Sequence, residues 1–158
     1  MSSGDFKNRI KAAANRFDQK TKTEEDARKE RDQKRKDFLQ EFWGKGHEVI
    51  EPVLTSAQED LEHSNISWSD NEDRIVLTFA PGAKYAVLVF LADAMTMRVR
   101  LHTAIGSVAS SKDIERFQDI QEGAGRIVPA AGDFTLAQLD KQTVEDCVAT
   151  FVEKAFGA

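Results

Sequence analysis

The chain has 158 residues, of which 41% are hydrophobic and 31% charged, with only 9 Gly and 3 Pro, a globular composition tilted toward helix that excludes collagen-like, Gly/Pro-rich disordered and disulfide-scaffold classes. The formal net charge of −5 is an average over two unlike parts. Residues 1–36 carry 12 Lys/Arg against 7 Asp/Glu, net +5, and residues 37–158 carry 10 against 20, net −10. A basic arm of residues 1–36 and an acidic domain of residues 37–158 are therefore expected.

The arm opens a stretch of 39 residues, Asp5 to Trp43, without Gly or Pro. Ser3 or Asp5 can cap its start. Phe6, Ile10, Ala13 and Phe17 follow 4-3-4 spacing, a short coiled-coil-type seam. In the same register Lys20, Glu24, Arg31 and Lys34 interrupt the seam, and Phe38, Leu39, Phe42 and Trp43 restore it. Pairs such as Glu24–Arg28 and Glu30–Lys34 sit at i,i+4 with the acid first, which supports a solvated helix. A continuous helix over this stretch is about 58 Å long at about 1.5 Å per residue. That exceeds the width of a domain of this size, so an isolated apolar patch along it calls for a cover. Phe6, Ile10 and Phe17 are the expected association residues, and Phe38, Phe42 and Trp43 a second patch.

Gly44 and Gly46 mark a break or kink in the region 44–52, with Pro52 just inside the next helical pattern. Val49, Ile50, Val53, Leu54, Ala57 and Leu61 form a core-facing stripe that is expected to end near Ser64. The texture then changes. Residues 66–68 read as a short edge strand, Asp70–Asp73 as a polar turn, and Arg74–Ala80 as a strand. Pro81-Gly82 is a turn signal. Lys84 to Ala92 is nearly all apolar, so both faces of that strand need cover. Met95 to Ile105 alternates, with Met97, Val99 and Leu101 on one face and Arg98, Arg100 and His102 on the other. Ser110, Ser111 and Asp113 announce a short helix carrying Ile114 and Phe117. Residues 126–128 and 134–136 read as two short strands. Asp140 or Thr143 caps a last helix with Val144, Cys147, Val148, Phe151, Val152 and Ala155 on its apolar face. Strands grouped together with helices at the ends predict an α+β fold: a long N-terminal helix, an antiparallel meander of three to five strands, and a C-terminal helix packed on the sheet.

His47, His63 and His102 show no standard zinc-ligand spacing, so no metal is expected. Cys147, the only cysteine, reads as a packing residue and fits a reducing compartment. Gly123-Ala-Gly125 is too short for a phosphate loop, and no G-x-S-x-G elbow is present. No cofactor is implied. The longest apolar run, Tyr85 to Ala92, is far below the roughly 20 residues of a membrane span. With no secretory signal at the N-terminus, a cytoplasmic address is the default expectation.

In element order, residues 37–158 resemble the small acidic chaperones of bacterial type III secretion, and the strand, Leu139-Asp140 and Phe/Val-bearing helix of residues 134–156 are similar in texture. That resemblance implies a dimer that binds segments of another protein without catalysis. The basic arm lies outside it. A long helix followed by a meander and a helix also resembles small dimeric nucleoid proteins. The leading expectation is a non-enzymatic interaction module, a homodimeric adaptor or chaperone that binds another protein through its arm or its sheet face. Two alternatives stand beside it. One is nucleic-acid binding through Lys29, Arg31, Lys34, Arg35 and Lys36. The other is a small-ligand or enzyme site on the Arg98, Arg100 and His102 face.

Overall fold

The computed structural model describes residues 3–61, 65–81, 84–107, 109–122 and 130–157. The fold is α+β, as the sequence predicts. The chain divides into two compact units, Met1–Asp37 and Phe38–Ala158. Helix α1 runs without interruption over Ser3–Lys45, with Asp5 in its first turn, where an acid complements the exposed N–H groups. Within the first unit the described side chains are exposed, except that Thr21 and Arg35 are half-buried.

In the second unit the glycines do not break the helix. A π-helical turn, Gly46–Ile50, leads directly into α2, Glu51–Asp60, and the residues at both junctions keep helical dihedrals. The Glu51 N–H bonds the Gly46 carbonyl, five residues back. Pro52 supplies the physical reason. It has no N–H to donate, and in a tight α-turn its ring collides with the carbonyl four residues earlier; one wide turn relieves both problems. Gly46 also lies against the sheet, where an added Cβ would come within 2.8 Å of Ile75 Cδ1.

Five strands follow: β1 Ser67–Asn71, β2 Arg74–Phe79, β3 Lys84–Asp93, β4 Arg98–Ser107 and β5 Gly132–Phe134. They form one antiparallel sheet in the order β1-β2-β3-β4-β5. Three local readings shift. Asp70 and Asn71 belong to β1, so the β1–β2 turn is only Glu72–Asp73. Met95 and Met97 lie in the turn before β4, where the Asp93 carboxylate accepts the Met95 N–H at 3.0 Å and Met97 adopts a φ of 55°. β5 begins at Gly132, and Leu136 starts a short 3-10 turn, Leu136–Gln138. The expected strand at 126–128 and His63 lie outside the described residues.

β3 explains its own composition. Ala86, Leu88, Phe90 and Ala92 face the main core, built with the end of α1, α2 and the C-terminal helix α4, Lys141–Gly157. Val87 and Val89 face a smaller core on the other side, closed by Phe117 and Ile120 of α3, Ser111–Glu122. The apolar run is therefore covered on both faces by the chain's own helices. Arg74 ties α3 to the sheet: its guanidinium is clamped on Asp73 and donates to the Gln121 carbonyl at 3.0 Å, at the negative end of the helix.

α4 is capped by Asp140, whose carboxylate accepts the Thr143 backbone N–H at 2.8 Å. That bond holds the Asp140 carboxyl below its ordinary 3.8. The stabilisation is present above pH 3.8 and is lost as pH falls through the lower native value. Asp140→Asn keeps a capping oxygen without the charge. Melting temperatures followed into acid should therefore fall less steeply in the variant than in the wild type.

Candidate functional site

The expected site residues part company in the structure. Phe6, Ile10 and Phe17 of α1 are exposed to 64%, 54% and 69%, on one helical face. Lys29, Arg31, Lys34 and Lys36 are exposed as well, interspersed with acids, and Arg35 pairs with Asp32 at 3.8 Å. Phe38 and Phe42 are instead part of the main core, because the end of α1 lies on the sheet there. Of that patch only Trp43 reaches the surface.

On β4 the alternation puts Arg98, Arg100 and His102 on one face, as read from the sequence. They do not form one open stripe. Arg98 donates to Asp133 at 2.6 Å, and Arg100 pairs with Asp93 at 3.4 Å. His102, opposite Val89 on β3, is 1% exposed on the side of the sheet that α3 covers. A cationic clamp for an anion needs unneutralised, reachable donors, and this face offers two paired arginines and a buried ring.

Cys147 is half-buried and lines a cavity of about 330 Å³ between α4 and the β4–β5 side of the sheet, with Thr143, Asp146 and Thr150 beside it. Burial, with the Asp146 charge adding to it, pushes the thiol above its ordinary value. The thiolate is the reactive form. Labelling of native protein with a disulfide reagent at pH 8 should therefore run about tenfold or more slower than that of the unfolded chain.

The wide turn before Pro52 assembles a cluster that the sequence reading did not single out. His47 on the π-helical turn and Glu51 at the start of α2 are one helical turn apart, with Nδ1 and Oε2 at 2.7 Å. Asp70 of β1 joins them, and one ligand-type atom from each of the three residues lies within 4.8 Å of the others. Trp43, one turn before His47, meets the imidazole edge-on with ring centroids 4.6 Å apart. His47 is exposed, while Glu51 and Asp70 are half-buried. Burial pushes the Glu51 carboxyl above its ordinary 4.5, and the hydrogen bond that its protonated form donates to the Asp70 carboxylate adds to this; His47 pulls the other way. The i,i+4 spacing of His47 and Glu51 was visible in the sequence. Asp70 was not, because only the sheet brings it to the helical junction.

A second surface feature of this unit is a groove of about 720 Å³ between α2 and α4. Val49, Val53, Leu61, Val148 and Val152 line it, and Glu48, Asp60 and Glu145 stand at its rim. Among the described residues, no helix is long and apolar enough to cross a membrane. Compared with family models, curated proteins and solved structures, the chain matches none.

Proposed function

We propose that this chain is a protein-interaction module of adaptor or chaperone type that self-associates through its N-terminal helix. The observation that carries this reading is the exposure of Phe6, Ile10 and Phe17 on one face of α1. Three large apolar side chains at coiled-coil spacing lose their contact with water only when another surface covers them. A second copy supplies such a surface in antiparallel register. Phe6 then meets Phe17 of the other copy and Ile10 meets its Ala13, so the seam is complementary to itself under a two-fold axis. The charged positions that follow, Lys20, Glu24 and Arg31, disfavour a long parallel coiled coil, because each would face its own like charge. The sheet, the other candidate surface for a partner, is already covered by α3 on one side and by α2 and α4 on the other.

Size-exclusion chromatography with light scattering tests the reading. The wild type should show a concentration-dependent dimer at high micromolar protein, and F6S/I10S/F17S should remain monomeric with an unchanged circular-dichroism melt of the remaining fold. A wild type that stays monomeric at those concentrations would overturn it.

A further inference from the structure

His47, Glu51 and Asp70 form a mixed nitrogen and oxygen donor set delivered by two separate elements. The helical junction places the first two, and the edge strand β1 places the third. The ring of His47 is held from the side by Trp43. Two ionised carboxylates whose oxygens lie within 4.8 Å of each other repel, and a cation between them turns that repulsion into attraction to both. One side of the cluster, at His47, is open to solvent, which gives an ion a path of entry.

We propose that His47, Glu51 and Asp70 bind a divalent transition metal of the Zn²⁺ class as a three-ligand site. The donor set selects that class. Imidazole suits zinc and its first-row neighbours better than magnesium or calcium, and carboxylates complete the shell as hard anionic ligands. Zinc accepts three protein ligands with a water in the fourth position. Ligand bonds of about 2.0–2.2 Å place neighbouring donors a little over 3 Å apart in a tetrahedron. His47 Nδ1 and Glu51 Oε2, now 2.7 Å apart, would separate slightly as the metal replaces the hydrogen bond between them. Asp70 would close the remaining distance by a side-chain rotation. The proposal does not depend on self-association of α1, since none of the three residues lies on the Phe6–Phe17 seam.

Isothermal titration of the full chain with Zn²⁺ tests it, alongside His47→Gln, Glu51→Gln and Asp70→Asn, with Cys147→Ser as a control for thiol binding. The expected result is one Zn²⁺ per chain, an affinity about tenfold or more weaker in each ligand variant, and an unchanged affinity in Cys147→Ser. Zn²⁺ should raise the melting temperature of the wild type and leave that of the ligand variants in place. Co²⁺ added to the wild type should show visible absorption stronger than that of the aqueous ion. This last measurement needs no variant, so it stands even where a substitution unfolds the chain. Absence of Zn²⁺ binding by the wild type, an aqueous Co²⁺ spectrum, or wild-type affinity in any of the three ligand variants would overturn the assignment.

Discussion

Phe42→Ala should destabilise the second unit by about 3–5 kcal/mol, read as a shift of the denaturant midpoint at constant slope. Phe42 is 0% exposed, and with Phe38 one turn earlier it places the end of α1 in the main core. Removing the ring loses its transfer energy and leaves a cavity that a close-packed interior fills only in part. Single domains are stable by about 5–15 kcal/mol, so the loss is a large share of the total. The melting temperature should fall by about 10–20 °C for a unit of this size. The contrast with Trp43→Ala is informative. Trp43 is 41% exposed, and its loss should cost about 1 kcal/mol or less. A Phe42→Ala variant that melts like the wild type would place that side chain on the surface after all.

The second large effect is expected in association. Covering Phe6, Ile10 and Phe17 in two copies releases about 1–2 kcal/mol for each side chain, given their present exposure. The loss of translational and rotational freedom opposes this by about 4–15 kcal/mol. The resulting dimer is weak, with a dissociation constant in roughly the micromolar to hundred-micromolar range. F6S/I10S/F17S removes nearly the whole driving force and should weaken association by about 100-fold or more. Salt gives an independent sign. Lys7, Arg9 and Arg16 flank the seam in both copies, so screening should strengthen the dimer. Nucleic-acid binding through Lys29, Arg31, Lys34, Arg35 and Lys36 would respond in the opposite sense, weakening steeply as salt rises. Analytical ultracentrifugation at low and high salt separates the two, and a dimer that dissolves with added salt would count against the seam.

Much of the fold was legible because periodicity is a local property. The alternation from Arg98 onward gave a strand with the expected faces, and the continuous apolar run of β3 called for cover on both sides, which α3 and the main-core helices provide. Capping was legible too: Ser110, whose hydroxyl accepts the Asp113 N–H at 3.3 Å, precedes α3, and Asp140 starts α4. The junction at Gly44–Pro52 was harder. Two glycines and a proline read as a break or a kink without deciding between them, and a single π-helical turn absorbs the proline without ending the helix. Met97 was misplaced for a similar reason. Its hydropathy fits the β4 alternation, while its φ of 55° puts it in the turn, and backbone sign is not written in hydropathy.

The candidate site was legible only in halves. His47 and Glu51 stand at helical spacing, but Asp70 lies beyond a turn and on another element, and nothing in the spacing of 51 and 70 implies contact. The Arg98, Arg100 and His102 face was read correctly as a face. What the pattern did not contain was the identity of the neighbours: Asp133 and Asp93 neutralise the arginines, and α3 covers the side where His102 lies. By itself the sequence determined most of the element types, the charge difference between residues 1–36 and 37–158, and the apolar spacing of Phe6, Ile10 and Phe17, since each is read from composition or from residues within a few turns of each other. Only the tertiary structure decided that Phe38 and Phe42 are core residues, that the cationic face is already paired, and that a histidine and two carboxylates meet. Those outcomes depend on which surfaces of distant elements come into contact, and side-chain packing, rather than local pattern, selects them.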